Sequence, residues 1–221
     1  MRRSAPLLAT LILLAGCSAI PEAEAPRQEV RASTAFLTPI PDERQCLAAL
    51  GRTQANFTPL PDQYFGAGCS TLGSVRLAGL RSDDAVLTLA NLGPVACPLA
   101  TAFAGWARYG VDRAARQILG SPLVRIETMG SYSCRTIAGS DRLSAHATGN
   151  AIDVSGFVLA DGRRITVLRD WASDDPQTRA FFETIEQSAC KRFGTVLGPN
   201  YNPAHRNHFH LERSTGRPFC R

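Results

Sequence analysis

Between residues 98 and 119 the apolar side chains of Leu99, Phe103, Trp106, Ala107, Val111, Ala114 and Ile118 recur mostly three or four positions apart, the stripe of a helix with one face against a core. Gly110 falls inside that stripe and predicts a kink. A second amphipathic helix is expected over residues 177–193. A shorter one over residues 41–50 opens with Pro41, Asp42 and Glu43, since proline and acids suit the unpaired amides and the dipole of a first turn. Elsewhere the pattern shortens to that of strands, near residues 74–77, 85–90, 123–132, 151–159, 164–168, 195–197 and 208–213, with residues 136–148 reading as a loop. Ala160, Asp161 and Gly162 between two of these runs are a hairpin signal. Strands in runs with segregated helices predict an α+β domain, a central antiparallel sheet flanked by helices.

The N-terminus departs from this pattern. Arg2 and Arg3 precede an apolar run too short to cross a membrane, so residues 1–16 read as a signal peptide. The run ends in Leu14-Ala15-Gly16-Cys17, which resembles the lipobox of bacterial lipoproteins and implies a lipidated Cys17. Residues 17–40, rich in Pro, Ala, Glu, Arg and Ser, read as a solvated tether, and residues 41–221 as one domain. The expected location is the cell envelope, anchored by lipid and facing the periplasm, with Ser18 favouring the outer membrane by resemblance to lipoprotein sorting rules.

Export changes the reading of the cysteines. Cys46, Cys69, Cys97, Cys134, Cys190 and Cys220 remain besides Cys17, with no C-x-x-C pair, so three disulfides are expected. The pairing taken is Cys46 with Cys69, Cys97 with Cys134 and Cys190 with Cys220, the first and last because they are neighbours in sequence. The net charge of +5 comes from scattered arginines, Lys191 being the one lysine, so no basic stripe points to nucleic acid. A mild positive balance suits an anionic wall polymer.

The candidate chemistry lies in the histidines. The chain has four: His146 in Ser144-Ala145-His146, and His205, His208 and His210 together in one short segment. On a strand, His208 and His210 project from one face while Phe209 turns to the core. Asp153, between Ile152 and Val154, offers its carboxylate on the face opposite two branched apolar chains, and Gly149 permits a turn between His146 and that strand. Two imidazoles and a carboxylate are a set typical of catalytic zinc, with the fourth position left for water.

These residues resemble a known superfamily. The pattern S-x-H-x-x-G-x-A-x-D, present as Ser144, His146, Gly149, Ala151 and Asp153, with a distal H-x-H, is similar to that of the LAS metallopeptidases, which include D-alanyl-D-alanine carboxypeptidases and penicillin-insensitive murein endopeptidases. Within it, Tyr132-Ser133-Cys134-Arg135, the even cysteine set and the closing His208 to Glu212 resemble the extensin-like C-terminal domain family. The resemblance implies a disulfide-stapled LAS/hedgehog-type zinc peptidase fold, with the ion on His146, Asp153 and His210. It implies His208 as general base or transition-state donor, and Arg135 as a binder of substrate or oxyanion.

Carboxypeptidase relatives carry a glutamate three residues before the last ligand. Here that residue is Asn207, whereas His205, His208 and His210 reproduce the H-x-x-H-x-H of the endopeptidases. The expected function is therefore cleavage of peptidoglycan cross-links, with His205 a further catalytic candidate and Ser144 and Tyr132 substrate-binding candidates. Glu212 and Asp141 are candidate partners of the ligands, and Tyr201 and Asn202 candidate cleft residues. A carboxypeptidase and a non-catalytic wall-binding lipoprotein remain the alternatives. The expected partners are peptidoglycan and, through the lipid, a membrane.

Overall fold

A proline and two acids start the first helix, α1 (Pro41–Arg52), in the computed structural model, which describes residues 41–214 and 217–221. The expected signal peptide, Cys17 and the tether lie outside the described residues. Short strands follow: β1 (Asn56–Pro59), β2 (Tyr64–Gly66), β3 (Cys69–Ser70), the longer β4 (Ser74–Arg81), then β5 (Val86–Ala90) and β6 (Val95–Ala96). The apolar stripe then forms a continuous rod: α2 (Cys97–Trp106), a π-helical turn Ala107–Asp112, and α3 (Arg113–Ile118). Gly110, where a kink is expected, lies within this π turn. A Cβ on Gly110 would lie 2.5 Å from Ser188 Oγ and 3.0 Å from the Trp106 ring, so only glycine lets the rod pass so near the later helix.

The chain continues through β7 (Leu123–Gly130), a 3-10 turn Ala145–Thr148, β8 (Ala151–Leu159), β9 (Arg164–Thr166), α4 (Val167–Asp170) and α5 (Pro176–Cys190). It closes with β10 (Thr195–Leu197), a 3-10 turn Pro203–His205, β11 (Phe209–Glu212) and β12 (Phe219–Cys220). The α3 to β7 turn is fixed by Asp112, fully buried, whose carboxylate accepts from the Leu123 amide at 2.9 Å and from Arg116 Nε at 2.9 Å. A buried carboxylate is stable only when so paired.

Among the described residues, ten strands make one sheet in the order β1-β4-β5-β7-β8-β11-β10-β12, with β6 on β4 and β9 on β8, while β2 and β3 pair only with each other. The sheet is mixed rather than purely antiparallel, because β5 runs parallel to β7 and β10 parallel to β12. Nor do helices flank it evenly. Phe157 of β8 meets Trp106, Phe181 and Phe182, and Phe209 of β11 meets Phe182 and Trp171, so α2 and α5 cover one face.

One irregularity sets the other face. Glu127 stands opposite Gly156 but Thr128 opposite Val154, which leaves Ser155 as a bulge in β8. Without it, Phe157 and Leu159 would share a face with Asp153. With it, Ile152, Val154, Phe157 and Leu159 all reach the core and Asp153 points away. Val154 lies opposite Phe209 and Asp153 opposite His210, so the two polar residues share the face away from the helices.

Three disulfides staple the fold, and two differ from the expected pairing. Cys46 joins Cys97, and Cys69 joins Cys134; only Cys190 with Cys220 is as expected. The cause is packing. Cys46 lies on α1 and Cys97 opens α2, which packs against it, bringing their Cα atoms to 6.1 Å. Cys69 belongs to the β2–β3 hairpin, which leans on the segment after β7. No helix among the described residues is long and apolar enough to cross a membrane.

Candidate metal centre

His146 enters the site on the 3-10 turn Ala145–Thr148, which two residues define. Ser144 caps its start, the hydroxyl accepting from the His146 amide at 3.4 Å, and Gly149 ends it in the left-handed region at φ 62°. A Cβ on Gly149 would meet the Pro94 carbonyl at 3.3 Å, so the turn docks on the chain before β6 only through glycine. Ser144 is itself buried at the start of the turn it caps. Asp153 comes from β8 and His210 from the facing position of β11. His208 precedes β11 rather than belonging to it, yet its Nε2 lies 3.6 Å from Asp153 Oδ1.

One ligand atom from each of His146, Asp153 and His210 falls within 4.8 Å of the others, a group that could hold a metal ion. His146 Nε2 lies 3.2 Å from His210 Nδ1 and 3.2 Å from Asp153 Oδ2, and His210 Nδ1 lies 3.0 Å from Asp153 Oδ1. Ligand atoms around a tetrahedral zinc with bonds of about 2.0–2.1 Å stand roughly 3.3 Å apart. The donor set and its spacing fit such an ion.

The outer partners agree with these roles. His146 Nδ1 lies 3.0 Å from the Ser131 carbonyl, which only accepts, so Nδ1 carries the proton and Nε2 keeps its lone pair for a ligand. His210 Nε2 lies 3.4 Å from Glu212 Oε2, which leaves Nδ1 facing Asp153. Glu212 thus lies against the His210 ring, whereas Asp141 is exposed and makes no hydrogen bond or ion pair to His146, Asp153 or His210. Two amides hold the other imidazoles: Asn207 Oδ1 accepts from His208 Nδ1 at 2.9 Å, and Asn202 Oδ1 from His205 Nδ1 at 2.8 Å. These roles of Ser131, Asn202 and Asn207 escaped the sequence reading. The asparagines stand next to or three residues before their histidines, a signal that was present; the Ser131 contact is through backbone and left none.

Electrostatics follow from the same contacts. Burial works against charge on His210, but the Asp153 and Glu212 carboxylates outweigh it and push its pKa up to about 9. Burial would raise Asp153, yet hydrogen bonds from His146 and His210 hold it far below the usual carboxylate range. His205 is lowered to about 4 by burial and by His208 and His210, against the pull of Asp153. His208 is lowered mainly by burial, again against Asp153. The Arg135 charge adds a downward push on both. Its guanidinium is exposed, and among the described residues no carboxylate pairs with it.

A metal ion entering this site at neutral pH must displace the proton on His210 Nδ1. Zinc affinity is therefore expected to rise by about tenfold per pH unit up to the His210 pKa of about 9 and then level off, with about one proton released per ion at pH 7. Titration calorimetry in two buffers of different ionisation enthalpy checks this; an affinity independent of pH between 7 and 9 would refute it.

A family model described as Extensin-like protein C-terminus matches residues 44–221. No curated protein and no solved structure matches the chain.

Proposed function

Because the chain belongs to the extensin-like protein C-terminus family, a description that names no reaction, we propose its function from the site itself: a zinc metallopeptidase of the LAS type that hydrolyses peptide cross-links of peptidoglycan. The observation that carries this reading is the convergence of His146 Nε2, Asp153 and His210 Nδ1, with a third imidazole, His208, held beside them, its Nε2 3.6 Å from Asp153 Oδ1. A zinc ion on the first three residues would supply Lewis acidity for a peptide carbonyl and lower the pKa of water.

The chain's own groups would do the rest. Asn207 holds His208 Nδ1–H, so Nε2 presents a lone pair near Asp153, and its lowered pKa keeps it unprotonated at neutral pH. It accepts the proton of the attacking water and returns it to the leaving amine. The exposed, unpaired guanidinium of Arg135 stabilises the anion that develops on the carbonyl oxygen. His205, tied to Asn202 and 5.1 Å from the His208 ring, supports that ring laterally. Asn207 cannot serve as a proton acceptor, which favours the endopeptidase over the carboxypeptidase. In this reading the chain is exported and anchored by a lipidated Cys17, so the domain works on the wall from the periplasmic side.

The test is digestion of purified peptidoglycan with and without a chelator, the muropeptides being resolved by mass spectrometry. Chelator-sensitive conversion of cross-linked dimers to monomers is expected. Loss of a terminal D-alanine alone would make the enzyme a carboxypeptidase, and unchanged muropeptides with zinc bound would leave a binding protein.

A further inference from the structure

Arg135 stands on a loop that packing holds only weakly. Every residue from 133 to 143 is exposed, so the loop puts no apolar side chain into the core. Its two legs are tied to each other: Thr136 bridges Leu143, and the Ser144 amide donates to the Arg135 carbonyl at 3.0 Å. At its base the Ser133 amide donates to the His146 carbonyl at 3.1 Å. Beyond that the loop meets the β2–β3 hairpin, through Leu143 against Gly68 and through one covalent bond, Cys134 to Cys69. Exposed segments with few buried contacts open at little cost, so the covalent bond decides where this loop sits.

The far end of that bond is a fixed point. Cys69 is 1% exposed, and β3 packs against the Ala145–Thr148 turn that carries His146. The bond thus joins the strand behind His146 to the residue before Arg135. Its near end is open to solvent. Cys134 is exposed, whereas Cys46, Cys97, Cys190 and Cys220 of the other two disulfides are buried or half-buried. Thiol–disulfide exchange needs access to a sulfur, and exposed disulfides are the labile ones.

We infer that Cys69–Cys134 is a redox latch on the loop that carries Arg135: closed, it holds the guanidinium in place, and opened by a dithiol, it releases the loop and switches hydrolysis off while the metal stays bound. The effect on hydrolysis rests on the peptidase reading above. In opening, one thiolate of the dithiol bonds to Cys134 Sγ and the Cys134–Cys69 bond breaks, Cys69 leaving as a thiolate. The second thiolate of the dithiol then displaces Cys134. The dithiol ends as a disulfide, oxidised by two electrons, and its two protons pass to Cys69 and Cys134.

The test treats the full chain with graded dithiothreitol. Cysteine labelling and amide hydrogen exchange are followed by mass spectrometry, and peptidoglycan cleavage is measured after the dithiol is washed out without air and zinc restored. Cys69 and Cys134 are expected to label first. The Ser133 and Ser144 amides should lose protection while those of β8 and β11 keep it, and kcat should fall about a hundredfold, as a displaced catalytic group costs, with zinc affinity within a few-fold. Reoxidation should reverse these changes. The double variant Cys69→Ser, Cys134→Ser should start slow and ignore the dithiol. Arg135→Gln should be slow with the bond closed and lose little more when it opens, which a merely structural bond would not produce. Equal cleavage by the reduced and oxidised chains, earlier opening of another pair, or loss of protection in β8 and β11 together with the loop would each overturn the inference and leave the peptidase reading standing. If neither form cuts while the loop still opens reversibly with Cys134, the peptidase reading falls and the latch stands.

Discussion

Replacing His210 with alanine is expected to lower zinc affinity by about a thousandfold and to abolish hydrolysis with it. Apparent zinc binding energies of about 10–16 kcal/mol shared among a few protein ligands give about 4 kcal/mol for one, which is that factor. His210 is the most exposed of the three to this logic, because it alone contacts two carboxylates, Asp153 at 3.0 Å and Glu212 at 3.4 Å. Competition with a chromophoric chelator measures the affinity, and a value within about tenfold of the unchanged chain would remove His210 from the ligand set.

The same substitution has a second, metal-free signature whose sign follows from the shifts. His210 is raised to about 9, so its contact with Asp153 stabilises the fold fully below the ordinary histidine value of 6.5 and is lost as pH rises through about 9. Asp153 is lowered, so its share is present above its ordinary value of 3.8 and is lost as pH falls toward its depressed value. In chelator, the thermal stability of the unchanged chain should therefore fall between neutral pH and pH 10. That of His210→Ala should stay flat over the same range.

Much of this site was legible in the sequence because ligand chemistry is concentrated. With four histidines in the whole chain, all in two segments, few alternative sets exist, and the period of a strand places Asp153 opposite Ile152 and Val154. The long stripe from Leu99 to Ile118 was legible for the same reason, since its period is sustained over several turns. What was not legible depends on contacts distant in sequence. Cys46 finds Cys97 because two helices pack, and nothing local marks that. The bulge at Ser155 is a matter of register between β7 and β8, so the alternation along β8 reads as broken until its partner is seen. Strands as short as β3, β6 and β12 have no period at all and are ordered by their neighbours. His208 was placed on a strand by alternation, but the chain reaches the sheet only at Phe209, and it is the bond to Asn207 that aims the ring.

That bond makes His208→Ala the sharper test of mechanism. The substitution removes a ring whose Nε2 stands 3.6 Å from Asp153 Oδ1 and that is not among the three converging ligand groups. Zinc affinity should therefore stay within a few-fold, while kcat falls by about 10²–10⁴, the usual contribution of a positioned general base. The pH profile carries the assignment further than the rate. Burial lowers the His208 pKa against the attraction of Asp153, and a cation on the neighbouring ligands pushes it the same way. The acid limb of kcat/KM should therefore lie below the ordinary histidine value of 6.5, and it should disappear in His208→Ala. Asn207→Ala, which keeps the imidazole but frees its Nδ1, should lose rate while retaining that limb. A His208→Ala enzyme with unchanged kcat would remove His208 from the reaction. One that lost zinc as His210→Ala does would make it a ligand and leave proton transfer to another group.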